Sequence, residues 1–118
     1  MFEAASIRDW IGMSVVDPAG DTIGPLESIY FDTSTELPSF AAVRTGMIGR
    51  HKLSFVPLDG ATVSPKHLNV VHDKRLVKDA PSIPTDGELE AAQEPDLFAH
   101  YGLPYAVGVN GERRLGRR

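Results

Sequence analysis

Residues 17–32, DPAGDTIGPLESIYFD, constrain this chain more than any other stretch. Asp17-Pro18-Ala19-Gly20 has the composition of a type I turn. Asp17 can accept from the backbone ahead, Pro18 presets φ, and Gly20 tolerates a left-handed backbone. Strand character resumes at Thr22-Ile23, breaks at Gly24-Pro25 and resumes through LESIYFD. There Ile29 and Phe31 fall on one face and Ser28 and Tyr30 on the other. Glycine inside a strand marks a bulge or bend, and proline cannot donate to a ladder. A phosphate-cradling loop needs a helix opening directly after its glycines, whereas strand follows here. The segment is therefore read as the hinge of a folded ribbon.

The rest of the chain is punctuated in the same way. Residues 6–12 read as a short helical turn capped by Ser6, with Asp9 at its favourable end and Gly12 as its stop. MSVVD follows as a short strand, and PSFAAVRTG, HKLSFVPLD, ATVS and HLNVVHD read as further strands. They are separated by Gly46, by Asp59-Gly60 and by Ser64-Pro65-Lys66. About six short antiparallel strands at this spacing predict a mainly β fold, and the kinks at Gly24-Pro25 and Pro57 favour a small barrel. Past LVKDAPSIP, Thr85 and Glu88 have the spacing of a capping box. Pro95 should divide the helical stretch in two, with Glu94 held out of helical geometry. Leu97, Phe98 and Tyr101 would face the barrel, and Gly102 would end the helix. The expected organisation is a barrel over residues 1–83, a packed helical segment over 84–105 and a flexible basic tail over 106–118.

Composition narrows the function classes. The 118 residues fit one domain with an appendage and include no cysteine, which removes disulfides, thiolate nucleophiles and Cys-based metal sites. No apolar run approaches the ~20 residues of a membrane span, and the first ten residues do not read as a secretory signal. The expected location is cytoplasmic. The net charge of −4 is segregated: −6 over residues 1–43, +5 over 44–78, −6 over 79–111 and +3 over 112–118. A positive middle between acidic flanks suits either an anionic partner or pairing within the fold, and the second needs no partner.

Several stretches, taken in order, resemble the PRC-barrel family. They are Ile11-Gly12 before the first strand, GDTIGPLESIYFD from Gly20 to Asp32, Phe55-Val56-Pro57-Leu58, LVKDAPSI at 76–83 and LFAHYGLPY at 97–105. The family's barrel occurs in the cytoplasmic part of the photosynthetic reaction-centre H subunit and in ribosome-maturation proteins; the closing stretch is similar to stand-alone bacterial members. The resemblance implies a small β-barrel acting as a non-enzymatic interaction or assembly module, often as a homodimer, with no cofactor. Relative to both named members, no membrane-spanning helix is expected before the barrel, and the barrel is expected to start almost at once rather than after a separate N-terminal domain.

Two groups of residues are candidates for partner contact. Arg44, Arg50, Lys52, Lys66, Lys74, Arg75 and Lys78, with His51 and His67 among them, could gather on one wall and bind a protein partner. The alternative is a ribosome-associated assembly factor whose basic wall contacts ribosomal protein or RNA. RNA modules also offer stacking aromatics, and only Tyr30 and Phe55 lie nearby, with Phe55 assigned to the core. Trp10, Phe98 and Tyr101 could anchor an interface or staple the terminal helices to the barrel. The chemistry of an active site is not indicated. His67 and His72 fall on opposite faces of a strand, and His51 sits between two cations. Asp86, Glu88 and Glu90 suit a helix start, and no nucleophile elbow or nucleotide loop is present.

Overall fold

The structure, a computed structural model, describes residues 8–108 and 110–117. The predicted Ser6 cap lies outside the described residues; residues 8–10 form a 3₁₀ turn, and Gly12 stops it with φ of 90°. Eight strands follow: β1 (Ser14–Val16), β2 (Thr22–Asp32), β3 (Pro38–Thr45), β4 (Lys52–Pro57), β5 (Thr62–Val63), β6 (His67–Asn69), β7 (Ser82–Pro84) and β8 (Leu115–Arg117). They form one sheet in the order β5-β6-β1-β2-β3-β4-β7, with β8 also paired to β2. Three expectations are thereby corrected. Among the described residues there are eight strands rather than about six, and the sheet does not close into a barrel, because β5 and β7 end it without bonding to each other. Nor is every pairing antiparallel: β1 runs parallel to β6.

The hinge reading of residues 17–32 stands. Gly20 N donates to Asp17 O at 2.9 Å, and Asp17 Oδ1 accepts from Ala19 N and Asp21 N at 3.0 and 2.9 Å. This closes the turn into β2. Residues 22–25 of β2 pair with β1, whereas 26–31 pair with β3, so the long strand passes from one half of the sheet to the other at Gly24-Pro25. The β1–β2 register shifts between Val15 and Val16, and the β2–β3 register shifts between Leu26 and Ser28 and again between Tyr30 and Phe31, as expected where a strand coils.

Two-sided burial explains why the barrel expectation fails. In β3, Ala41 and Val43 face one apolar cluster while Phe40 and Ala42 face another. In β4, Val56 belongs to the first cluster, and Leu53 and Phe55 to the second. The first cluster lies between the central strands and β1, β6, Trp10 and Val77; the second lies under Leu89, Leu97, Phe98 and Leu115. A barrel strand buries one face inward. Here both faces of β2–β4 are covered, which is the environment of an uninterrupted apolar run such as Phe40-Ala41-Ala42-Val43.

Helix α1 (Lys74–Lys78) interrupts what reads as a linker. Asp73 caps it, its Oδ1 accepting from Leu76 N at 3.0 Å, and Asp17 Oδ2 accepts from Lys74 N at 3.0 Å. The predicted helix start at Thr85 is absent: residues 85–90 form a turn and an extended segment, so Asp86 and Glu88 lie at no helix start, whereas Glu90 caps the 3₁₀ turn that follows and forms the capping box with Gln93. A 3₁₀ turn (Ala91–Gln93) leads into α2 (Glu94–His100), and Glu90 N donates to Gln93 Oε1 at 3.1 Å. Pro95 occupies the first turn of α2, where its missing N–H costs nothing, and Glu94 is helical at φ −60°, ψ −45°. Part of the segment expected as a tail is paired. Residues 115–117 are β8, Leu115 is buried, and Thr33 N donates to Arg114 O at 2.8 Å.

Candidate interaction surfaces

The basic residues fall in three regions. Arg44 is the penultimate residue of β3, Arg50 and His51 lie in the β3–β4 turn, and Lys52 begins β4. Lys66 and His67 sit at the opposite side of the sheet, where β5 turns into β6. Lys74, Arg75 and Lys78 are on α1. Sequence spacing could not foresee this division, because it depends on which strands become neighbours. Arg44 meets Glu27 at 3.4 Å with both side chains well exposed, a pair of little energetic weight. The α1 cations share a shallow depression with Asp17, Asp21, Asp73 and Asp79, so carboxylates surround them.

The aromatic group divides as well. Trp10 is buried in the first cluster; Phe98 is buried in the second, with the half-buried Tyr101 packed against it. Phe40 sits 5.2 Å from Phe98 and 6.3 Å from Tyr101, centroid to centroid. The Tyr101 hydroxyl donates to Phe55 O, and burial pushes its pKa up from the ordinary value. His100 Nε2 donates to Leu76 O at 2.7 Å and ties α2 to α1. Among the described residues, no three His, Asp or Glu side chains gather as metal ligands.

The residue that sequence reasoning missed is Glu94. Its side chain is 0% exposed and is the centre of a polar clasp. Oε1 accepts from the Tyr105 hydroxyl at 2.8 Å and from Arg114 N at 2.9 Å, while Oε2 accepts from Arg113 Nε at 2.8 Å. Arg114 bonds Asp32 at 2.7 Å, and Arg117 bonds Glu88 at 2.9 Å. The positive C-terminal segment thus pairs within the fold with residues of the acidic blocks.

Acid should weaken this structure in two stages. Burial opposes the charged form of His72, which rests on Tyr101 with ring centroids 4.8 Å apart, and lowers its pKa from 6.5. The unfolded chain then binds that proton more readily, so stability falls as pH drops below 6.5. For Asp17, the Lys74 N–H leads in holding the carboxyl below 3.8. For Asp32, burial pushes upward but Arg114 and the N–H groups of Ser34 and Thr35 outweigh it. A depressed carboxyl stabilises above its unfolded pKa and loses that contribution as pH falls through the folded value, so the second stage begins below about 3.8. Urea midpoints measured against pH check both stages: His72→Gln should flatten the first and Asp32→Asn the second.

One surface feature stands apart. Val15, Leu68 and Val63 are paired across β1, β6 and β5 in one row. Val15 and Leu68 are fully buried, whereas Val63 is 40% exposed at the end of the sheet. Beyond β5 no strand follows among the described residues. Comparison with known proteins fits this framework. No curated protein matches the chain significantly. The family model described as PRC-barrel domain matches residues 2–88. That span takes in β1 through β7, the hinge and α1, and on this match the chain belongs to the PRC-barrel domain family.

Proposed function

We propose that this chain is a non-enzymatic interaction module that self-associates, as a homodimer, and serves as a scaffold or adaptor for a protein partner. The observation that carries the reading is the apolar row Val15–Leu68–Val63 running out to an open sheet edge. An unpaired edge backed by a core row is a template for strand addition. The separation of the histidines also supports a role without acid–base chemistry. His72 packs against Tyr101 with the rings tilted, His100 binds a backbone carbonyl, and His51 and His67 are exposed elsewhere. A ribosomal RNA-binding factor is the weaker reading, because the cations do not converge and Tyr30 and Phe55 are both buried.

Mass in solution tests the proposal. At tens of micromolar, light scattering should give a dimer for the natural chain and a monomer for Val63→Lys, with the same far-UV circular dichroism and a melting temperature that no longer depends on concentration, since Val63 is partly exposed. A natural chain that is monomeric throughout overturns the self-association. A dimer whose affinity falls steeply with salt would instead place the contact on charged groups.

A further inference from the structure

The β3–β4 turn carries two large apolar side chains that no fold requirement explains. Met47 is 77% exposed and Ile48 is 95% exposed. The turn is well defined: Arg50 N donates to Met47 O at 2.8 Å. Gly46 and Gly49, with φ of 95° and 82°, bracket the pair and supply the left-handed backbone that a tight reversal needs. A side chain at Gly46 would meet the Arg50 carbonyl at 2.5 Å, so the base of the loop is closed on itself. Directly behind the tip come Arg50, His51 and Lys52, and no ion pair among the described residues engages them.

We infer that this turn is a membrane-surface anchor, in which Met47 and Ile48 enter the interface of an anionic bilayer while Arg50, His51 and Lys52 meet the lipid headgroups. Three features select a lipid surface over a protein. The apolar group is a convex tip of two residues, too small for the core of a stable protein interface and well shaped for a deformable medium. The cations follow the tip immediately, at the depth where headgroup phosphates lie. They also stand in no ion pair among the described residues on a chain of net charge −4, whereas Arg113, Arg114 and Arg117 of the other positive stretch pair with Glu94, Asp32 and Glu88, so the turn is a favoured point of contact for an anionic surface. Nearby carboxylates limit the strength: Glu27 is paired with Arg44, and Asp86 lies two residues past Pro84, the register partner of Lys52. A single turn therefore gives weak, reversible attachment, and insertion and charge must both contribute.

The absence of cysteine makes the test direct, because Ile48→Cys takes a single environment-sensitive fluorophore. The full chain is titrated with vesicles of phosphatidylcholine alone and of phosphatidylcholine mixed with phosphatidylglycerol. A blue shift is expected only with the mixed vesicles, and a label at exposed Thr35 should not shift. In flotation with the unlabelled protein, Met47→Ser/Ile48→Ser should reduce binding at least tenfold. Arg50→Glu should reduce it about tenfold and more at low salt than at high. All three side chains are exposed, so melting temperatures should match the natural chain. No shift at millimolar anionic lipid overturns the inference. So does vesicle binding that the tip substitutions leave unchanged, or a tip-dependent protein partner without any vesicle binding.

Discussion

Replacing Glu94 with alanine should destabilise the protein by about 3 kcal/mol, the low end for breaking a buried charge pair. The side chain is fully enclosed, and Arg113 is 35% exposed, so the orphaned guanidinium can turn partly to water. The remaining donors cannot escape so easily. Arg114 N and the Tyr105 hydroxyl both point at Oε1, and each buried donor left without an acceptor costs about 1–3 kcal/mol. The midpoint of thermal unfolding should drop by roughly 12 °C, at about 4 °C per kcal/mol. Arg113→Ala should cost a comparable amount, because it leaves the fully enclosed carboxylate without its ion-pair partner, even though Oε1 stays engaged. Glu94 joins α2 to β8 across the chain, so the loss should begin locally. Amide exchange at Leu115–Arg117 should accelerate more than exchange in β3. A melting point within 2 °C or so of the natural chain, with β8 protection unchanged, would remove Glu94 from its central place.

The clasp also shows where sequence reading stops. Arg114 reaches Asp32 across 82 positions and Arg117 reaches Glu88 across 29. A three-residue strand, Leu115–Arg117, has no periodicity to announce it; distant carboxylates and Tyr30, Phe31 and Asp32 of β2 hold it in place. Read alone, the same residues are a charged tail. Helix α1 was similarly hidden, because only Val77 of its five residues is buried. Its local signal was Asp73, a good N-cap placed before LeuVal in the sequence, but the second cap comes from Asp17, far away along the chain. The capping signal of the C-terminal helix was present at the wrong place: Thr85 and Glu88 have suitable spacing, yet Gly87 N donates to Pro84 O and closes a turn there.

Elements held by local chemistry were legible. Asp17, Pro18 and Gly20 specify their turn through neighbours within four residues. The central strands were legible too, and so was half of their burial, since Ile29 and Phe31 do share a face opposite Tyr30. The second buried face was written in the unbroken apolar run of β3. Assigning one interior to all strands concealed it. The candidate surfaces depend on the same non-local information: residues 44–52 were legible as a basic stretch, but their separation from Lys66 required the strand order.

Gly24→Ala should cost about 3 kcal/mol or more, and the reason is visible only in the packing of β2 on β3. A Cβ at residue 24 would lie on top of the Arg44 carbonyl oxygen and 3.2 Å from Val43 Cγ1. A side chain in the way could change rotamer; a carbonyl oxygen cannot move without its strand. Relief would pull apart the ladder that runs from Leu26↔Val43 to Tyr30↔Phe40, where Ala41, Val43 and Ile29 are buried. Gly87 is the control, since a Cβ there meets Pro84 atoms at 3.4 Å and its backbone is not left-handed. Gly87→Ala should stay within about 1 kcal/mol of the natural chain. Urea denaturation of the two variants separates the ideas. Equal, small losses would mean that Gly24 supplies only flexibility to the hinge. A large loss confined to Gly24→Ala would mean that the absence of a side chain is the requirement, because two strand backbones meet where β2 crosses between the halves of the sheet.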